Sequence, residues 1–198
     1  MSYVVYSIKG GVGKTTLSVQ ISQMLEFTYV TNDSHSSAHN LMPEEKGFLV
    51  SSEEYEEIPF DENVVYDFGG FKDKRINEVI KQVNKVIIPT LTSIVDVQAT
   101  LATLKDVIEI NKNIIIVVNR TKNNNKATEL KEYLEEELKK LYGKVEIPII
   151  FVRESSILED SLFDCEYVEN KAGNNRFKRH IYRNAIEDMI NLKKVLKA

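Results

Sequence analysis

Eight consecutive residues near the N-terminus, Lys9-Gly10-Gly11-Val12-Gly13-Lys14-Thr15-Thr16, constrain this chain more than any other feature. They separate a β-branched and aromatic run, Tyr3-Val4-Val5-Tyr6-Ser7-Ile8, from a segment in which Leu17, Ile21, Met24 and Leu25 recur at helical spacing. Glycines between a strand and a helix let successive backbone N–H groups turn to one side and form a concave anion nest. The helix beyond adds N–H groups without intrahelical partners and the positive end of its dipole. Lys14 supplies a point charge for β- and γ-phosphates, and the Thr15 hydroxyl suits Mg²⁺. The strict spacing of such loops places glycine at position 8, where this chain has Ile8. A merely Gly-rich basic turn is the competing reading, and the strand-to-helix context argues against it.

The alternation continues downstream. Phe27 to Thr31, Val64-Val65-Tyr66 up to Asp67, Val86-Ile87-Ile88-Pro89, Ile114 to Val118 and Val145 to Val152 read as strands, with Pro89 stopping one and Pro148 interrupting another. Helical patterns fall near 73–83, from Ser93 to about Ile110, and near 126–141, 155–162 and 177–196. Asn123-Asn124-Asn125 reads as a turn. Residues 32–62 are irregular and acidic and hold a short helix and a short strand that the pattern does not place. Strands alternating with helices predict an α/β fold: one mostly parallel, twisted sheet with helices on both faces. At 198 residues the expectation is a single nucleotide-binding domain over 1–198, with 171–198 as a basic helical segment of the same domain. Such sheets bind ligands beyond the carboxyl ends of their strands.

Composition excludes several classes. Cys165 is the only cysteine, so an intrachain disulfide and a cysteine-cluster metal site are ruled out. No apolar run approaches the roughly 18 residues of a membrane span, and no basic stretch precedes the first apolar run, so a cytoplasmic protein is expected. His35 and His39 lie four apart beside Asp33, but no helix and no third soft ligand follow, and zinc is not expected. Net charge is −4, unevenly spread: residues 171–198 carry eight Lys/Arg against two acids, and the remainder nets −10. A basic tail on an acidic body suits a polyanion, although a solvated helix face accounts for it equally simply.

The loop resembles the deviant phosphate-binding box of the ParA/MinD family of ATPases, whose mark is an extra lysine, here Lys9, before the double glycine. The resemblance implies a P-loop ATPase fold, ATP and Mg²⁺ as cofactors, and an ATP-dependent homodimer. In it, Lys14 acts in cis and Lys9 reaches the partner subunit's phosphates. It implies phosphate contacts from Gly10, Gly11, Val12, Gly13, Lys14, Thr15 and Thr16, and Mg²⁺ held by Thr15 and Asp67. Asp33 matches the second aspartate of a family D-x-D-P-Q run and is expected to orient the attacking water. Thr31, Ser34 and His35 depart from that run. Phe68-Gly69-Gly70-Phe71 resembles the family's second switch. Asn119 and Arg120, at a strand end, resemble its base-recognition segment. The amide of Asn119 offers both a donor and an acceptor to adenine, and Lys122 stands where a guanine site has aspartate.

The resemblance to the ParA-like members of this family implies DNA binding without sequence preference when dimeric and ATP-loaded. Arg176, Lys178, Arg179, Arg183, Lys193 and Lys194 are the expected DNA contacts, on a helix whose Ile181, Ala185, Ile186, Met189, Ile190 and Leu196 pack on the sheet. The resemblance is nearest to small plasmid-partition ParA proteins. It implies a ParB-like centromere-binding partner that stimulates slow hydrolysis, nucleoid association in the ATP state and no membrane contact. A MinD-like ATPase acting at a membrane, and a metabolic P-loop enzyme acting on a small molecule as a monomer, are the alternatives.

Overall fold

The computed structural model describes residues 1–51, 56–69, 75–122, 124–143 and 145–198. Among them, seven strands form one sheet in which every pairing is parallel: β1 (Tyr3–Tyr6), β2 (Thr28–Thr31), β3 (Gly47–Leu49), β4 (Val64–Phe68), β5 (Lys85–Thr90), β6 (Ile114–Thr121) and β7 (Ile149–Arg153). Their order across the sheet is β3-β2-β4-β1-β5-β6-β7. β1 therefore lies centrally, and the chain leaves it first toward one edge and later toward the other. Ligands of open parallel sheets bind at such a reversal.

Helices cover both faces. On one side α3 (Arg75–Gln82), α4 (Ile94–Ile108) and α5 (Asn124–Tyr142) bury Ile76, Ile80, Val97, Leu104, Leu134 and Leu138 against Val4, Tyr66, Ile88 and Ile116. On the other, α1 (Lys14–Leu25), α6 (Ser156–Phe163), α7 (Val168–Ala172) and α9 (Arg183–Lys197) bury Leu17, Ile21, Ile157, Val168 and Met189 against Tyr3, Val5, Ile87 and Ile115. Alternate strand residues thus serve opposite layers, as the two-residue period requires. A smaller cluster of Val19, Tyr29, Met42 and Cys165 sits beneath α2 (Ala38–Leu41).

Several expectations change. α2 and β3 are the short helix and strand of residues 32–62; Glu53 and Glu54 of that acidic segment lie outside the described residues. β1 stops at Tyr6, releasing Ser7 and Ile8 into the loop. β4 continues through Asp67 to Phe68. Pro89 does not stop β5: the strand runs on to Thr90, with Pro89 opposite Val117 of β6. Pairing of β5 with β1 ends at Ile87, so a residue lacking an N–H has an unpaired side to face. β7 begins only at Ile149, after Pro148. Asn124 and Asn125 open α5 instead of forming a turn, and Asn123 lies outside the described residues, as do residues 73 and 74 of the expected third helix.

The expected C-terminal helix is two helices. α8 (Arg176–Ile181) is capped by Asn175, whose side chain accepts from the N–H groups of Phe177 and Lys178, and it ends at Tyr182, whose φ of −97° and ψ of 12° break the helix before α9. Ile181 is consequently 52% exposed and does not pack on the sheet, while Ala185, Ile186, Met189 and Leu196 do. No described helix is long and apolar enough to cross a membrane.

Candidate functional site

The site grows from the end of β1. Val5 pairs with Asp67 and Tyr6 with Phe68, so the glycine loop leaves the sheet beside the end of β4. The loop is anchored at its start: the Ile8 N–H donates to Thr103 Oγ1 of α4 at 3.3 Å, and the Lys9 N–H to Ser7 Oγ at 3.3 Å. Gly11 and Gly13 have φ of 76° and 89°, a region that disfavours any residue with a Cβ. Gly13 is also the N-cap of α1 and provides no side-chain cap for the first-turn N–H groups of this 12-residue helix. Lys14 folds back, its ammonium donating to the Lys9 carbonyl at 3.0 Å, and Lys9 itself is half-exposed.

The acidic side of the site is Asp67, 3% exposed. Its Oδ2 accepts from the Tyr29 hydroxyl at 2.7 Å, and its backbone carbonyl accepts from Thr31 Oγ1 at 2.9 Å. Burial pushes the Asp67 carboxyl above the usual carboxylate range, opposed by hydrogen bonds from Tyr29 and Thr15 and by the charge of Lys14. Burial likewise lowers Lys14, opposed by Asp67 and Asp33, and raises Tyr29. Ser18 Oγ is buried close to Asp67. Lys14, Thr15, Ser18 and Asp67 thus bring an ammonium, two hydroxyls and a carboxylate to one helix start. Loop N–H groups with this donor set fit a phosphate group and a hard cation such as Mg²⁺.

Asp33 follows β2 on the same rim. Its Oδ1 accepts from the His35 N–H at 2.9 Å and its own N–H donates to Thr31 Oγ1 at 3.1 Å, a turn that holds the carboxylate half-exposed. Asn32, which the sequence reading passed over, accepts from the Gly69 N–H at 2.9 Å and ties the end of β2 to the segment after β4. Gly70 and Phe71 of the expected switch lie outside the described residues.

Asn119 ends up beneath the loop. Its Nδ2 donates to the Val12 carbonyl at 3.1 Å and its Oδ1 accepts from the Arg120 N–H at 3.0 Å, leaving one N–H and one lone pair uncommitted among the described residues. A Cβ built on Gly13 would overlap Asn119 Nδ2. Beside it runs a slot of about 20 Å³ lined by Thr16, Asn119, Arg120, Glu154, Ser155 and Leu158. Two ion pairs flank it, Arg120 to Glu159 at 3.5 Å and Lys122 to Glu154 at 3.1 Å. The contribution of residues 154–158 was missed because it needs the β6–β7 neighbour relation. The one available signal was their position just after a strand end.

A family model for the CobQ/CobB/MinD/ParA nucleotide-binding domain matches residues 3–163. The chain belongs to this family. No curated protein sequence matches it. Solved structures share its fold at low identity. Apo McdA of Cyanthece has a TM-score of 0.64 at 14% identity, covering 98% of each chain. A structure described as a plasmid partition protein of Borrelia burgdorferi B31 bound to AMPPNP gives 0.63 at 14%, covering 96% of this chain and 98% of that one. The MinD cell division protein of Aquifex aeolicus gives 0.61 at 17%, covering 98% and 96%.

Beyond the matched residues, this member of the CobQ/CobB/MinD/ParA family carries its basic segment on α8 and α9. Arg176, Lys178, Arg179, Arg183 and Lys194 are exposed, with Arg179 paired to Glu169 at 3.0 Å. Lys193 turns back and donates to the Met24 carbonyl at the end of α1 at 3.2 Å. Arg153, at the end of β7, joins the slot to α9: its Nε and Nη2 grip the Asp188 carboxylate at 2.9 and 2.6 Å.

Proposed function

We propose that this chain is an ATP-dependent, dimerising partition ATPase of the ParA type, which binds nonspecific DNA in its ATP state and hydrolyses ATP slowly until a ParB-like partner stimulates it. The observation that carries the reading is the convergence of Lys14, Thr15 and Asp67 at the start of α1, with half-exposed Lys9 on the same loop. In this reading the loop N–H groups and Lys14 bind the triphosphate, and Thr15 and Asp67 hold Mg²⁺. When bound, Mg²⁺ neutralises charge on the outer phosphates. Asp33 orients the attacking water. Asn119 offers its spare donor and acceptor to adenine while bracing Val12. Turnover is slow because a lysine from a second copy completes the positioning.

A second reading, a MinD-like role at a membrane, is favoured by one observation: Phe177 is 72% and Ile181 52% exposed on α8 among basic residues. The test measures elution, DNA retention and liposome co-sedimentation with a non-hydrolysable ATP analogue and with ADP. The partition reading expects a dimer and salt-sensitive DNA retention with the analogue alone. Retention that is equal with ADP or indifferent to salt refutes it, and co-sedimentation without DNA retention replaces it with the membrane reading.

A further inference from the structure

Packing alone does not call for tyrosine at position 29. Its ring lies in the cluster of Val19, Ala38, Met42 and Cys165, which phenylalanine would fill as well. The hydroxyl brings a polar group into that cluster and has to be met. Among the described residues the other fully buried tyrosines, Tyr3 and Tyr66, donate to backbone carbonyls, of Leu196 at 3.1 Å and of Pro59 at 3.0 Å. Tyr29 donates instead to a carboxylate oxygen, Asp67 Oδ2, at 2.7 Å. Strand geometry requires the long side chain. Tyr29 and Thr31 share one face of β2, and Thr31 stands opposite Asp67 in the register with β4. Thr31, though nearer, bonds the Asp67 backbone carbonyl. The carboxylate is met from two residues back along the neighbouring strand, a distance of about 6–7 Å. A phenol covers that distance, and a serine or threonine at position 29 would not. The same hydroxyl accepts from Ser36, whose N–H donates to the Asp33 carbonyl at 3.0 Å.

We infer that Tyr29 is a positioning residue for the cation site, its hydroxyl fixing the Asp67 carboxylate in the orientation in which, with Thr15, it holds Mg²⁺. This rests on the ATPase reading and extends the site to a residue of β2 outside the phosphate loop. Three hydroxyls meet Asp67, those of Thr15 and Ser18 from α1 and that of Tyr29 from the sheet. Thr15 is itself a cation ligand in that reading. The Ser18 hydroxyl turns about a single short bond, whereas packing on both sides of its ring locks the Tyr29 hydroxyl in place. A phenol is also neutral. It orients the carboxylate oxygen without adding a positive charge that would compete with the cation. Partners that hold a ligating group from behind contribute about 10–100-fold to metal affinity. Through Ser36 the same hydroxyl ties the turn that carries Asp33 to the carboxylate that holds the metal.

The test follows binding of a fluorescent, non-hydrolysable ATP analogue to the full chain, first in EDTA and then as Mg²⁺ is titrated in. It compares the parent with Tyr29→Phe, which keeps the ring and its cluster, and with Tyr66→Phe, which removes an equally buried hydroxyl on the opposite face of the sheet. The inference expects Tyr29→Phe to raise the half-saturating Mg²⁺ concentration about tenfold or more. Affinity in EDTA stays at the parent value, and Tyr66→Phe responds to Mg²⁺ as the parent does. In an Asp67→Asn background Tyr29→Phe adds no further shift, because its target is gone. A Tyr29→Phe protein with the parent's Mg²⁺ response overturns the inference and leaves the ATPase reading standing. So does one that loses affinity equally in EDTA and in Mg²⁺, which would make the hydroxyl a folding contact, or one whose shift persists in full beside Asp67→Asn. A parent that binds the analogue with no response to Mg²⁺ overturns both.

Discussion

Gly13→Ala tests how the phosphate loop is held. Alanine would have to keep a φ of 89°, and a left-handed backbone costs an L-residue about 1–2 kcal/mol. Its Cβ would also overlap Nδ2 of Asn119, a residue only 5% exposed, and displace that amide from the Val12 carbonyl at 3.1 Å. A buried polar group left unmet costs about 1–3 kcal/mol. The total centres at about 3.5 kcal/mol, which for a chain this long lowers Tm by about 7–14 °C. Gly143→Ala is the control: its φ is 69° but nothing lies within 4 Å of a Cβ, so only the backbone cost of about 1–2 kcal/mol applies. Thermal and urea denaturation of both nucleotide-free variants, and of Gly13→Ala combined with Asn119→Ala, separates the two contributions. The overlap predicts that Asn119→Ala costs less in the Gly13→Ala background than in the parent. Equal losses at Gly13 and Gly143, or strict additivity of the double variant, would refute the account of Asn119 as the brace under the loop.

Three further outcomes follow from the same geometry. Burial raises the folded-state pKa of Asp67 above its ordinary 3.8, so its ionisation opposes folding as pH rises through the interval between the two values. Asp67→Asn should therefore raise the Tm of the nucleotide-free protein at neutral pH, with a gain that shrinks on acidification, while Mg²⁺-dependent nucleotide affinity falls. A pH-independent Tm difference would contradict the assignment of the shift. Arg153→Ala leaves the buried Asp188 carboxylate with the backbone N–H of residue 153 as a donor but without its guanidinium, and should cost about 1–2 kcal/mol in urea denaturation, and Arg153→Lys should fail to restore the two-pronged grip. Cys165 is 7% exposed and burial raises its thiol pKa, so a thiol reagent should label the native protein about tenfold or more slower than the urea-unfolded one.

Local order is what the sequence carries most openly. The glycine loop, the apolar run of β6 and the helical spacing of Leu17, Ile21 and Met24 each depend on residues within a turn or two of one another, and each stands where the pattern put it. The aspartate after Val64-Val65-Tyr66 was equally visible, because a carboxylate next to an apolar run breaks the pattern, although the strand continues past it to Phe68. What surrounds these residues was not visible. Tyr29 and Thr31 reach Asp67 only because β2 lies beside β4 in parallel register, with Thr31 opposite Asp67. No local period encodes which strand becomes a neighbour. The same holds for Asn119 beneath Val12, 107 residues away in sequence, and for residues 154–158 beside it. The break at Tyr182 escaped the helical pattern because Ile181 continues the apolar spacing while tertiary packing engages only the residues after it. The sequence by itself determined a strand, a phosphate-type loop and a helix, through glycine φ and side-chain period. The tertiary structure decided which distant groups share that loop, because burial and strand pairing act across the whole chain and not along it.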